Sequence, residues 1–321
     1  MNGSVRSAAG LVWRHQRLVW WIFVVNLVLA FLSSLGVRAT LSTVIGHSLA
    51  SARLVDGFDL GIGAMIWHRP EVQHAALAST MVAAAVVMFF YLLFLDGGIF
   101  SVYLEDRKLS RAEFFENCGL YFWRMLRLAI YSLVPFAVLA AIHQPISNYA
   151  DKLARDAGPE RLGFCVQLAG TLLIMLLALL VRLWFDLTQA RVVHDNERGI
   201  LRVLLRSFRL AFASGLYVKY LGIALFGIVA FAVGATIWFY LPHRAMFASF
   251  FVWELVVLTS IATRLWMKAT SARWVALLPE EFVPVPQFVP EPVATETPAP
   301  EAEPLATDLP TAPEPEPPVS E

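Results

Sequence analysis

Long apolar runs separated by short charged intervals set the pattern of this chain. Six of them lie near Leu18–Gly36, Ala75–Leu95, Leu128–Ile142, Gly163–Val181, Tyr220–Leu241 and Ala245–Thr263. Runs approaching roughly 20 apolar residues are what cross a ~30 Å hydrocarbon core as an α-helix. The pattern therefore predicts an all-α, polytopic membrane helix bundle with six transmembrane helices. A mean hydropathy of +0.63 with only 16% charged residues agrees, since soluble domains carry more charge.

A second period appears before the fifth run. Leu201, Leu204, Leu205, Phe208, Ala211 and Phe212 share one helical stripe, and Arg198, Arg202, Arg206 and Arg209 share the other. That is a basic amphipathic helix, suited to a membrane interface with its arginines toward anionic lipid headgroups. The bland reading, an interfacial connector without lipid selectivity, accounts for the same pattern. Phe114, Phe115, Cys118 and Phe122 suggest a weaker interfacial relative before the third run.

Recurrence organises the ends of the runs. Arg182-Leu-Trp-Phe-Asp-Leu-Thr-Gln-Ala-Arg191 matches Arg264-Leu-Trp-Met-Lys-Ala-Thr-Ser-Ala-Arg273 at six of ten positions. Trp13-Arg-x-x-Arg17-Leu18 recurs as Trp123-Arg-x-x-Arg127-Leu128, Gly119-Leu-Tyr121 as Gly215-Leu-Tyr217, and Leu93-Phe-Leu-Asp96 runs parallel to Leu183-Trp-Phe-Asp186. Three repeated hairpins, spans 1–2, 3–4 and 5–6, explain this. Aromatic anchors and snorkelling bases, which every helix end at a membrane surface requires, are the competing explanation.

Charge supplies orientation and a boundary. Of the 25 Lys and Arg, 18 fall in the terminal segments and alternate loops that share one side, and 7 on the other. The positive-inside rule then predicts a multi-pass membrane protein with both termini cytoplasmic. Net charge is zero only because two parts cancel: residues 1–278 hold every base against 15 acids, whereas residues 279–321 hold 10 acids and no base. Thirteen of the 18 prolines also fall after residue 278. A six-helix transmembrane domain over 1–278 and a disordered Pro/Glu-rich cytoplasmic tail over 279–321 are expected. The tail could solubilise, or could dock a protein partner through Phe282-Val-Pro and Phe288-Val-Pro. Arg6, Arg14 and Arg17 before the first run imitate a secretory signal, but no small-x-small cleavage site follows it.

Chemistry is sparse. No Gly-rich phosphate loop, nucleophile elbow or paired-carboxylate arrangement occurs in a supporting context, so no catalytic residue and no cofactor is expected. His68-x-x-Glu71-x-x-His74 spreads its side chains around a helix and contains Pro70, so no metal site is implied. Cys118 and Cys165 fall at opposite ends of the spans, too far apart for a disulfide. Asp96-Gly97-Gly98 reads as a helix stop ending the second span. Arg182 and Asp186, one turn apart, form a rim ion pair. Nucleic acid is not an expected partner, because membrane topology already accounts for the bases.

One carboxylate stands apart. Glu254 lies ten residues from both Arg244 and Arg264, about 15 Å from each along a helix, and hence mid-membrane. Asn26 in the first span lies at nearly the same depth. The pair forms a candidate intramembrane polar site, with interhelical glue as its structural alternative.

The repeated rim segments and Trp-Arg entrances, covering roughly residues 10–275, resemble in outline uncharacterised bacterial six-helix integral membrane proteins. They are similar to the membrane domain of glycerophosphodiester phosphodiesterases. The catalytic domain of those enzymes is absent here, so the resemblance implies a bundle and transfers no catalytic residue. A non-enzymatic protein that organises lipids or partner proteins at the cytoplasmic face is the expected function. A small transporter or permease using Glu254 is the alternative.

Overall fold

The computed structural model describes residues 3–46, 80–107, 109–156, 160–197, 199–213, 215–241 and 246–278, with isolated positions at 61, 65–66, 68 and 70. Among these are eight helices: α1 (Gly3–Arg14), α2 (Gln16–Gly46), α3 (Thr80–Glu105), α4 (Arg111–Asp156), α5 (Glu160–His194), α6 (Ile200–Ala213), α7 (Leu216–Tyr240) and α8 (Met246–Ala276). Six of them, α2, α3, α4, α5, α7 and α8, are long and apolar enough to cross a membrane. The Pro279–Glu321 tail, Arg198, and Glu71 and His74 of the His/Glu triplet lie outside the described residues.

Several helices overshoot the bilayer. At 46 residues, α4 runs about 69 Å at 1.5 Å per residue, more than twice the thickness of the hydrocarbon core. The polar stretch Gln144–Leu162 between the third and fourth runs is mostly helix, because α4 continues to Asp156 and α5 resumes at Glu160. Two expectations from the sequence are corrected as well. The Phe114–Phe122 stripe is the start of α4 and not a separate interfacial helix. Its beginning is marked by a capping box, in which the Ser110 amide donates to Glu113 at 2.8 Å and the Glu113 amide donates to Ser110 Oγ at 3.2 Å. Finally, Asp96-Gly97-Gly98 does not end a helix, since α3 passes through it to Glu105.

The chain also begins with a helix that the long apolar runs overshadow. In α1, Ala8, Leu11 and Val12 are buried and share one face at helical spacing. This face packs against α8.

Helix packing follows a threefold plan. α3, α5 and α8 each touch the other two, while α2 contacts α3 and α8, α4 contacts α3 and α5, and α7 contacts α5 and α8. The second helix of each hairpin is thus internal, and the first lies in a groove between two of them. Local details repeat as well. Asp106 and Asn196, ten residues beyond Asp96 and Asp186, both adopt φ 50°. Arg14 donates to Asp106 at 2.9 Å, and its counterpart Arg124 donates to Asn196 at 2.7 Å. Thr188 and Thr270 each donate to the carbonyl four residues back, on Trp184 and Trp266, at 2.8 Å. Recurring contacts between recurring residues are what duplicated hairpins produce.

The core sits at the basic end of this bundle. Leu93–Tyr103, Phe114–Leu128, Leu183–Val193, Leu216–Ile223 and Leu265–Val275 contribute most of the buried side chains. Farther along the same helices, Val82, Leu133, Leu172, Phe231 and Phe251 are exposed. The contrast has a solvent origin. Apolar side chains inside a bilayer gain little by leaving lipid tails, whereas those projecting past it must be removed from water. Close contacts between the spans use small residues instead: a Cβ on Gly170 would stand 2.3 Å from Ile146 Cγ2, and one on Gly234 2.2 Å from Val256 Cγ2.

Candidate functional site

Where the three inner helices meet in the basic half, equivalent positions of the three repeats bring charge into the core. Asp96 of α3, Asp186 of α5 and Lys268 of α8 occupy the same place in their hairpins. Asp96 and Asp186 are 7% and 6% exposed. Lys268 Nζ donates to Asp96 Oδ1 in a salt bridge whose side chains are only 16% and 10% exposed. Tyr220 of α7 donates its hydroxyl to Asp186 Oδ2 at 2.5 Å. Arg182 hydrogen-bonds to the Tyr220 hydroxyl and feels the charge of Asp186. Arg264, exposed one turn before Lys268 on α8, adds a third positive charge at the edge of this group. Arg182 and Asp186, the expected rim pair, thus belong to a larger cluster and are linked through the Tyr220 hydroxyl.

Local sequence builds this arrangement. Two glycines after Asp96 let α4 approach closely: a Cβ on Gly97 would stand 2.8 Å from Tyr121 Cβ, and one on Gly98 2.6 Å from Cys118 Sγ. Ser101 Oγ donates to the Gly97 carbonyl at 2.9 Å. The ring of Phe100 lies 5.6 Å below Lys268 Nζ, a cation–π contact. With three cations to two carboxylates, the cluster carries one excess positive charge. It contains no nucleophile paired with a base. What it can do is penalise a slip of α3 against α8, because separating Lys268 from Asp96 would leave buried charge unpaired.

Lys268 and Tyr220 were not expected at a site, and Asp96 was expected only as part of a helix stop. A signal existed, since the matched decapeptides place Lys268 opposite Asp186, but opposite charges at equivalent positions become partners only once the helices meet.

The amphipathic helix is present as α6, and its faces divide more finely than the sequence stripe. Ile200, Val203, Leu204, Ser207 and Ala211 are buried, and Trp184 Nε1 pins the helix by donating to the Leu204 carbonyl at 2.8 Å. Leu204 and Ala211 thus belong to the protein-facing side. Leu201, Leu205, Phe208 and Phe212 form a second apolar sector that is 44–63% exposed. Arg202, Arg206 and Arg209 occupy the third sector, with Arg206 3.5 Å from Glu197. In the α3–α4 connection, the hydrogen bond that Arg107 donates to Glu105 pushes the guanidinium pKa further above its ordinary value, with Glu113 assisting.

Glu254 on α8 and Asn26 on α2 are both half-buried. No hydrogen bond or ion pair among the described residues joins them. Cys118 is buried, Cys165 is exposed, and both are free thiols. Among the described residues no group of three His, Cys, Asp or Glu side chains is placed to hold a metal ion.

Compared with protein-family models, curated proteins and solved structures, the chain matches none.

Proposed function

We propose that this integral membrane protein is non-enzymatic and organises anionic lipids, and through them partner proteins, at its basic face in the bacterial inner membrane. The observation that carries this reading is the three-sector form of α6. A helix docked on protein by one face, exposing four large apolar side chains on the next and arginines on the third, is built to lie in a membrane interface. Its apolar sector meets acyl chains, and each arginine near an anionic surface contributes on the order of 1 kcal/mol. The acidic segment after Pro279 is the element available to a protein partner.

The test is lipid composition around the protein in nanodiscs of mixed phosphatidylglycerol and phosphatidylcholine. Enrichment of phosphatidylglycerol that falls in Arg202→Gln/Arg209→Gln supports the reading. Equal composition around both proteins removes it.

A second reading, a small transporter, has one observation in its favour. Glu254 is a half-buried carboxylate about 15 Å along α8 from Arg264, where a charge needs a wet cavity or a ligand. Substrate-dependent proton or cation flux in proteoliposomes that is lost in Glu254→Gln would favour it.

A further inference from the structure

At the foot of the first span the α1–α2 junction faces the α3–α4 connection across a cavity of about 590 Å³. That volume is within the range of small-ligand pockets. Arg14, Arg17 and Arg111 line it, with Ser110, Trp21 and Phe114 among the other lining residues. Three bases from three separate segments converge here: the end of α1, the start of α2 and the start of α4.

Charge around the cavity is unbalanced. Asp106 accepts from Arg14 at 2.9 Å and from Arg273 at 2.6 Å, so one carboxylate already serves two guanidinium groups. Arg17 and Arg111 are exposed, and neither makes a hydrogen bond or ion pair among the described residues. One helical turn from these bases the lining is aromatic. Trp21 stacks on Phe115 with 6.0 Å between centroids and meets Phe114 edge-on at 5.8 Å. Trp21 also lies within the candidate span Gln16–Leu35, near its first residues.

We infer that this cavity is a binding site for the phosphate of an anionic phospholipid, held by the forked donors of Arg17 and Arg111 with the glycerol backbone against Trp21 and Phe114. Arginine suits this ligand because its planar donors meet phosphate oxygens two at a time. A free phosphate ester offers the same oxygens, but it has nothing to place against the aromatic wall. The inference deepens the lipid-organising role and rests on it in part: α6 gathers anionic lipid along an edge, whereas this cavity holds one molecule.

The experiment uses the full chain in detergent, titrated with dioctanoyl phosphatidylglycerol, dioctanoyl phosphatidylcholine or glycerol 3-phosphate, and reads one-to-one adducts by native mass spectrometry. The expected result is a saturable adduct with phosphatidylglycerol, weaker binding of phosphatidylcholine, and no competition from glycerol 3-phosphate. Arg17→Gln/Arg111→Gln raises the half-saturation concentration by about tenfold or more, as expected when charged hydrogen bonds are lost. Arg17→Lys/Arg111→Lys, which keeps charge but loses the forked donors, gives a smaller rise and serves as the reading if the Gln pair does not fold. Wild-type half-saturation in whichever of these variants folds overturns the site, as does the absence of a saturable adduct in the wild type. Competition by glycerol 3-phosphate at equal concentration overturns the lipid as ligand.

Failure here is distinguishable from failure of the broader role. Arg202→Gln/Arg209→Gln is expected to leave the one-to-one adduct within about twofold of wild type, because exposed charges on a separate helix act weakly at a distance, while it reduces bilayer enrichment. Loss of enrichment in that variant, with an adduct insensitive to Arg17 and Arg111, removes the cavity and leaves α6.

Discussion

Replacing Lys268 by Met is the sharpest test of the buried cluster. Methionine conserves most of the side chain's length and apolar stem, so the change removes one charge with little alteration of shape. What it leaves is Asp96, 7% exposed, without the Nζ donor that satisfies it. Breaking a buried pair in this way costs about 3–5 kcal/mol, most of it the penalty of an uncompensated charge. Arg264, exposed one turn along α8 from Lys268, screens part of the charge left behind, which places the expectation near the lower end, about 3 kcal/mol. The double variant Asp96→Asn/Lys268→Met removes both charges and is expected to lose less than the sum of the two single variants, with a coupling energy of at least about 2 kcal/mol. A control separates burial from mere pairing: Arg14 and Asp106 are 2.9 Å apart, but the arginine side chain is 59% exposed, so Arg14→Ala should cost under about 1 kcal/mol. Unfolding free energies from denaturant titration in mixed micelles, followed by tryptophan fluorescence, supply all four numbers. A Lys268→Met cost below that of Arg14→Ala, or strict additivity in the double variant, would refute the view that the buried Lys268–Asp96 pair penalises a slip of α3 against α8.

Further expectations concern packing, topology and the tail. Gly98→Ala places a Cβ 2.6 Å from Cys118 Sγ and 2.7 Å from a Phe114 ring carbon, and should destabilise by about 1–3 kcal/mol through overpacking. Adding Cys118→Ala should recover part of that loss, whereas Gly222→Ala, with nothing within 4 Å, should change stability by less than about 0.5 kcal/mol; equal effects at the two glycines would contradict the close approach of α3 and α4. Reporter fusions after Leu278 and within residues 157–159 should be active on opposite sides of the membrane, the first in the cytoplasm, and activity on one side for both would overturn the six-span order. Truncation after Leu278 should leave the detergent melting temperature nearly unchanged, and aggregation of the shortened chain would assign the tail a structural part.

The six spans were legible in the sequence because the bilayer imposes a length and an apolarity that no other environment demands together. Repetition was legible too, since matched residues such as Trp184 and Trp266, or Arg14 and Arg124, recur in order. Of the charged cluster, only Arg182 and Asp186 could be paired by sequence, because one helical turn guarantees their proximity. Which helices lie inside could not be read. A helix surrounded by lipid is apolar on every side, so its pattern does not mark the face that meets protein. Tertiary structure alone decided that α3, α5 and α8 form the centre, that Asp96 and Lys268 are partners across 172 residues, and that Gly97 and Gly98 serve close packing instead of ending a helix. The same holds for α6: periodicity separated its apolar and basic residues, but only docking on α5 divided the apolar ones between protein and membrane. Local rules fix what a segment can be, and contact between distant segments decides which of its faces is used.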